Sequence, residues 1–332
     1  MNESYLGIDV HKRKCVFVEI DGMGKVLRRS RFDNSREGVI DFLGSVGPNV
    51  HVVVEPTLNY LWLCDYLEPV VGSLHPANPL KVRVIAEAKC KTDRQDAWVL
   101  AELLRTNFLP ESYYVPREIR GLREAIRQRD HLVKQRVMLK NRVRVLLFRH
   151  GYELRARDVG SKRAAAEITT FALAESVTAM IAQNQRLIGN LNAEIMALEK
   201  IIEESCREVS EVKLLMSIPG IGRLRAATVY AEVVDIKRFR SGKAFASYCG
   251  LVPTVHQSGD HFHTGHISRE GSSLLRRTLV EAALTAHETP SLRSLYYRIL
   301  FKQNRLKARV AIAHKLALVI YAMWTRQEPF HI

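Results

Sequence analysis

The chain has 332 residues and 47% hydrophobic content, enough for a full core and, at that length, for two or more domains, which excludes a disordered tail. Its formal net charge of +15 predicts a polyanionic partner, because neutralising phosphates with Lys and Arg is the main sequence-independent source of nucleic-acid affinity. No apolar run reaches the roughly 18 residues that span a bilayer, and the N-terminus lacks the basic-then-apolar order of a signal peptide, so a soluble, cytoplasmic protein without a membrane partner is expected.

Residues 4–8, 15–20 and 26–32 are short β-prone runs, and DGMGK supplies the glycines of a tight hairpin between the last two. A helix-like stretch near 36–45 precedes a fourth strand in NVHVVVEP; a helix from about Tyr60 and a fifth strand in VVGSLHP follow. Three antiparallel strands followed by alternating strand and helix is the order of an RNase H-like fold. In that order Asp9 ends the first strand and Glu55 ends the fourth, beside it.

Beyond Thr92 the sequence turns helical, and Asp93 and Asp96, three residues apart, share a face. LPESYYVP, with prolines at 110 and 116, reads as a linker. From Arg117 to His150 there is no proline, and Ile119, Leu122, Ile126, Val133, Val137 and Val143 recur at spacings of three, four and seven, an amphipathic helix of coiled-coil type. Its polar face carries eleven Lys and Arg against three acids. Arg127, Lys134, Lys140 and Arg144 on it are candidate nucleic-acid contacts, with an ordinary solvated face as the alternative. A second long helix, of mixed charge, runs from about Glu175 to Cys206 and completes a helical hairpin.

From Glu211, LLMSIPGIGRLRAATVYAEV reads as helix, Pro-Gly-x-Gly turn, helix. This is the pattern of a helix-hairpin-helix, in which amides around Gly220 and Gly222, at the start of a helix near Arg223, can hold a phosphate without reading sequence; a plain αα-turn is the alternative. The expected boundaries are 1–112 for the α/β domain, 113–208 for the coiled coil and 209–332 for a mainly helical C-terminal domain.

Asp9, Glu55, Asp93 and Asp96 form a candidate metal site, since a carboxylate at the end of a buried strand is costly unless a cation compensates it. Two divalent ions about 3.5–4 Å apart, held by shared carboxylates, would suit an in-line phosphoryl displacement. Magnesium fits such oxygen donors. Five scattered cysteines without a CxxC pair, and twelve histidines without HExxH spacing, argue against a disulfide framework and a zinc site.

The segment HQSGDHFHTGHISREGSSLLRRTLVEAA places Ser258 before Gly259 in a polar loop that runs into a helix near Gly271. By itself Ser-Gly is a common turn pair, and serine attacks a phosphodiester only when its proton is removed or its pKa lowered. Arg276 and Arg277 match phosphate geometry, although helix-surface arginines look the same. His261, His263 and His266 are either proton relays or solvated loop residues. KQNRLKARVAIAHK, near the C-terminus, is a further place for polynucleotide backbones.

Taken in order, IDVHK, VVVEPT, KTDRQDAWVLA, IPGIG, FASYCGLVP and SGDHFHTGHISREGSSLLRRTLVEAA resemble the transposases of insertion-sequence family one-ten over nearly the whole chain. The resemblance implies a RuvC-like domain of the RNase H fold with a DEDD carboxylate set at Asp9, Glu55, Asp93 and Asp96, a coiled-coil insertion, and a C-terminal transposase domain whose nucleophile is Ser258. It also implies donor and target DNA, a structured bridge or seeker RNA as guide, and a homodimer that pairs into a tetramer. The family pattern SG, GxIS(K/R)xG and LRR is met at Ser258, Gly259, Gly265, Ile267, Ser268, Gly271, Leu275, Arg276 and Arg277, with Arg269 replacing the more usual lysine. Many relatives have two serines before the glycine, whereas Gln257 fills the first place here, so Ser268, Ser272 and Ser273 serve as controls. A metal-dependent nuclease or junction resolvase using water, and a non-catalytic nucleic-acid scaffold, are the competing readings.

Overall fold

The computed structural model describes residues 3–57, 60–85, 93–258, 261–268 and 270–331. The chain divides into two compact units, Met1–Tyr114 and Val115–Ile332.

The first unit opens with the expected meander: β1 (Ser4–Val10), β2 (Lys14–Asp21) and β3 (Val26–Asp33) pair antiparallel in turn. After α1 (Arg36–Leu43), capped by the Ser35 hydroxyl, β4 (Val50–Val54) runs parallel to β1. Then follow α2 (Tyr60–Leu67), β5 (Ser73–Pro76) parallel to β4, α3 (Pro79–Ile85) and α4 (Asp93–Arg105). The sheet order is β3-β2-β1-β4-β5.

Strand alternation divides the sheet into two faces. Leu6, Ile8 and Val10 of β1, with Val52 and Val54 of β4, pack with Val39 and Phe42 of α1 and Leu63, Cys64 and Leu67 of α2. The other face carries Val18, Ile20 and Val53 and is covered by Ala97, Leu100 and Ala101 of α4. The segment read as a linker is tied into this unit: Glu111 bridges to Ala77, the Ser112 N–H donates to the Pro76 carbonyl, and the Tyr114 hydroxyl donates to Asp65. Two prolines mark a break in regular structure but give no sign of these contacts.

The second unit begins with α5 (Arg117–Arg149) and α7 (Glu175–Ser205), the expected helical hairpin, with the short α6 (Lys162–Ile168) between them. Val143, Leu147, Val177, Ile181 and Ile188 form a core toward its tip. At its base Leu122, Ile126 and Ile202 join a larger core with α8 (Ser210–Leu215), α9 (Arg223–Val233), a short 3-10 turn at Ile236–Arg238 and α10 (Gly242–Tyr248). The chain then forms the β6 (Pro253–Ser258) and β7 (His261–Ile267) hairpin and closes with α11 (Ser273–Ala286), α12 (Pro290–Lys302) and α13 (Arg305–Arg326).

Two expectations shift in this unit. Ser258 ends a strand rather than standing in an open loop, with His261 paired opposite it and His263 and His266 further along β7. The pairing is legible only in hindsight, since polar and histidine-rich strands lack the apolar alternation that marks a strand in sequence. The helix expected near Gly271 begins at Ser273, with Ser272 as its cap. Cys15, Cys64, Cys206 and Cys249 are free and buried; Cys90 lies outside the described residues.

Candidate active site

The faces of the sheet decide where the carboxylates go. Asp9 follows Tyr5 and Gly7 on the α4 side of β1, and Glu55 follows Val53 on the same side of β4. The Glu55 N–H donates to the Ile8 carbonyl at 3.0 Å, which extends the parallel ladder and sets the two acids side by side at the strand ends. Gly7 lets α4 lie directly on this edge. A Cβ there would come within 2.0 Å of the Ala97 carbonyl oxygen and 2.8 Å of the Ala101 nitrogen. Such close approach holds the first turn of α4, with Asp93 and Asp96, over the strand ends.

Asp9 is only 5% exposed, and its carboxyl is pushed up to about 6. Burial is the chief cause; the charges of Glu55, Asp93 and Asp96 add to it, while His11 opposes it. Asp9 is thus near enough to feel the charge of each of the other three acids. His11, which the sequence reading left without a role, stands among them, its Nε2 3.2 Å from both Asp9 Oδ2 and Asp93 Oδ2. Among the described residues Asp9, His11 and Asp93 bring ligand atoms within 4.8 Å of one another. The available signal was spacing: a histidine two residues after a strand-end aspartate. A crowded, largely oxygen-donor set in which one carboxylate resists ionisation is what a hard divalent cation relieves.

Ser258 belongs to the second unit, and the root of its hairpin is tightly tied. Gly250 precedes the hairpin and Gly271 follows it; a Cβ on Gly271 would lie 2.0 Å from the Tyr248 carbonyl oxygen and 2.5 Å from the Gly250 nitrogen. The Ser272 N–H donates to Tyr248 and the Ser268 N–H to Val252. Arg276 lies against this crossing, next to Gly250, with its Nη1 buried and lacking a hydrogen-bond partner among the described residues. The Ser272 hydroxyl caps α11 at Leu275. Gly259 and Arg269 lie outside the described residues.

The basic candidates are mostly engaged within the unit. Arg127 and Arg123 both pair with Glu232, which is 3% exposed. Burial pushes the Glu232 carboxyl up, but the hydrogen bond from Arg127 and the two guanidinium charges outweigh it and hold it below the usual range. Lys134 pairs with Asp130, Lys140 with Asp158, and Arg144 donates to the Arg157 carbonyl. Arg277 pairs with the buried Asp130 and more loosely with Glu281. Gly220 packs against the Ala282 carbonyl of α11, whereas Gly222 caps α9 with open space around it. That end of α9 faces a cleft of about 970 Å³ whose lining includes Arg129, Lys134, Arg223, Arg225 and Arg277. No helix among the described residues is long and apolar enough to cross a membrane.

A transposase family model of the DEDD IS110 type matches residues 6–150, and the model of the transposase IS116/IS110/IS902 family matches residues 212–298. The chain is 32% identical to the transposase for insertion sequence element IS1111A of Coxiella burnetii, over 98% of this chain and 90% of that protein. It is 27% identical to a probable family 20 transposase of Pseudomonas aeruginosa, over 98% of both. It is 25% identical to the pilin gene-inverting protein of Moraxella bovis, over 99% of this chain and 98% of the other. These matches define a DNA transposase. Within that class the chain belongs to the IS110 family of insertion-sequence transposases.

Proposed function

We propose that the protein is an RNA-guided DNA recombinase that moves its own element by cutting and rejoining strands through a covalent phosphoserine at Ser258. The observation that carries the metal half of this reading is the grouping of Asp9, His11 and Asp93, whose ligand atoms lie within 4.8 Å of one another, with Glu55 and Asp96 near enough for their charges to act on Asp9. The sheet order β3-β2-β1-β4-β5 supports an RNase H-like, RuvC-like assignment for the domain that bears them. Asp9, Glu55, Asp93 and Asp96 would hold divalent ions, with magnesium favoured by the oxygen donors and two ions by the number of acids; bound there, such ions supply electrostatic stabilisation to a reacting phosphate. His11 keeps the cage together through Asp9 and Asp93.

In the serine half, the Ser258 hydroxyl gives up its proton and its oxygen attacks phosphorus. The P–O bond to the departing strand breaks, and that oxygen leaves with the electron pair and takes a proton. Attack by the hydroxyl end of another strand reverses the step, and bond energy is conserved without ATP. The tied root at Gly250 and Gly271 supports a positioned serine. Donor and target DNA, a structured guide RNA, and a homodimer pairing into a tetramer follow from the family resemblance. A three-part division at 1–112, 113–208 and 209–332 and a cytoplasmic site of action belong to the same reading. The relative named as a pilin gene-inverting protein supports rejoining, and not mere cleavage.

A denaturing gel of the recombination reaction tests this. Wild type should leave a protein–DNA adduct, Ser258→Ala should abolish both adduct and product, and Ser272→Ala should retain the adduct. Cleavage by Ser258→Ala at the wild-type rate would assign attack to water and overturn the serine mechanism.

A further inference from the structure

Between Glu288 and Glu328 the sequence contains no acidic residue, yet it contains eight Lys and Arg: Arg293, Arg298, Lys302, Arg305, Lys307, Arg309, Lys315 and Arg326. None of them forms an ion pair among the described residues. This differs from α5, where Arg123, Arg127, Arg129, Lys134 and Lys140 meet carboxylates. The first five are exposed and lie on α12 and the first turn of α13, around the bend where Asn304 caps α13 through the Lys307 N–H.

Aromatic rings stand among these cations. Leu292 and Tyr296 fix the inner face of α12 in the core, with Tyr296 against the His287 ring. On the outer face Arg293, Tyr297 and Phe301 follow one another at intervals of four residues and so form one stripe. Tyr297 is 39% and Phe301 83% exposed. Their ring centroids are 6.2 Å apart, and the Arg293 guanidinium lies 5.9 Å from the Tyr297 ring. Leu306, at the bend, is also exposed. A surface that only attracted duplex backbone would need the charges but not the rings. Exposed rings set among cations that form no ion pair among the described residues suit unpaired bases, whose faces stack on them while the cations follow the phosphates.

From this we infer that the outer face of α12 and the start of α13 bind single-stranded DNA, with one base stacked on Tyr297 and another on Phe301. DNA is the occupant because the class acts on DNA and cutting a strand exposes an unpaired end. The inference rests on the transposase class alone and is independent of Ser258 as nucleophile.

Fluorescence anisotropy with the full-length protein tests it, using a deoxythymidine homopolymer, its ribouridine counterpart and a duplex. Tyr297→Ala/Phe301→Ala should weaken deoxythymidine binding about ten-fold or more, with an unchanged salt slope and unchanged duplex binding. Arg298→Gln/Lys302→Gln/Arg305→Gln should instead flatten the salt dependence, by about two in log–log slope. Phe301→Trp keeps a ring in place and guards against misfolding: it should hold affinity, and the introduced indole should be quenched by deoxythymidine. Equal losses on duplex and single strand, no loss at all, or an unquenched indole would each overturn the proposal. Tighter ribouridine binding would transfer the surface to RNA, and a change of oligomeric state by sedimentation in the double alanine variant would make it an interface between copies; either result overturns it as well.

Discussion

Replacing Asp9 by asparagine should stabilise the metal-free protein while abolishing its chemistry. Asp9 lies among three other carboxylates with its carboxyl pushed up to about 6, against an ordinary aspartate value near ~3.9, a difference of about two pH units or ~3 kcal/mol. A group whose value is raised on folding contributes stability that is complete below its unfolded value and is lost as pH rises through the folded one. Above about pH 6 the ionised Asp9 therefore strains the fold, and below about pH 4 it does not. Asparagine carries no charge at either pH. Allowing for weaker contact with His11, Asp9→Asn should gain about 2 kcal/mol at neutral pH in EDTA, several degrees of melting temperature for a unit of this size, and little under acid conditions. Magnesium should raise the wild-type melting temperature and leave that of the variant unmoved. Urea melts in EDTA at about pH 4.5 and about pH 7.5, on either side of the folded value, decide it. If Asp9→Asn is no more stable than wild type at the higher pH, or gains equally at both, the crowded-carboxylate account is wrong.

Gly7→Ala should cost about 3 kcal/mol or more, because its Cβ would lie 2.0 Å from the Ala97 carbonyl and overpacking here shifts a whole helix; magnesium affinity by calorimetry should fall with stability, as the α4 acids move with that helix. Glu232→Ala leaves Arg123 and Arg127 facing an empty buried position and should destabilise by about 3 kcal/mol in a thermal melt. Because the Glu232 carboxyl is held below its usual range, its contribution is present above about pH 5 and fades as pH falls below the ordinary glutamate value; the wild-type advantage over Glu232→Gln should shrink along that acid limb. Gly271→Ala, forced against the Tyr248 carbonyl and the Gly250 nitrogen, should lower covalent adduct formation more than it lowers duplex affinity measured by anisotropy.

Much of the first unit can be read from sequence because its signals are local. The meander, the fourth strand and α4 appear in apolar runs and turn glycines, and strand parity then places Asp9 and Glu55 on one face. For His11 the only signal was its spacing two residues after a strand-end aspartate, and its contact with Asp93 depends on a helix more than eighty residues later. Gly7 was silent, as its importance is the approach of a helix about ninety residues later in the chain. In the second unit the two long helices declared themselves by periodicity, whereas the β6–β7 hairpin did not, because His256, Gln257, His261 and His263 give no apolar alternation. The motif glycines Gly250 and Gly271 read as turn residues; the structure shows them as the two backbones that cross at the root of that hairpin.

Charge is where sequence and structure diverge most, and the divergence has a physical direction. The lopsided polar face of α5 reads as an arm laid along nucleic acid, yet Arg123 and Arg127 meet Glu232, Arg129 meets Glu199, Lys134 meets Asp130 and Lys140 meets Asp158. The compensating acids come from other segments, which no composition count along one helix can reveal. Pairs open to solvent, such as Lys140 with Asp158, contribute little to stability, whereas those on the buried Glu232 are held; in either case a phosphate has to outcompete a carboxylate already in place. No such competition arises at Arg298, Lys302 and Arg305, none of which forms an ion pair among the described residues. Charge reversal at those three positions should therefore change the salt dependence of polynucleotide binding more than reversal at Lys134 and Lys140, whose charges are already engaged by Asp130 and Asp158. Equal slopes from the two sets, measured on the same oligonucleotide, would mean that the internal pairs of α5 open freely in solution and that the helix is the nucleic-acid arm its sequence describes.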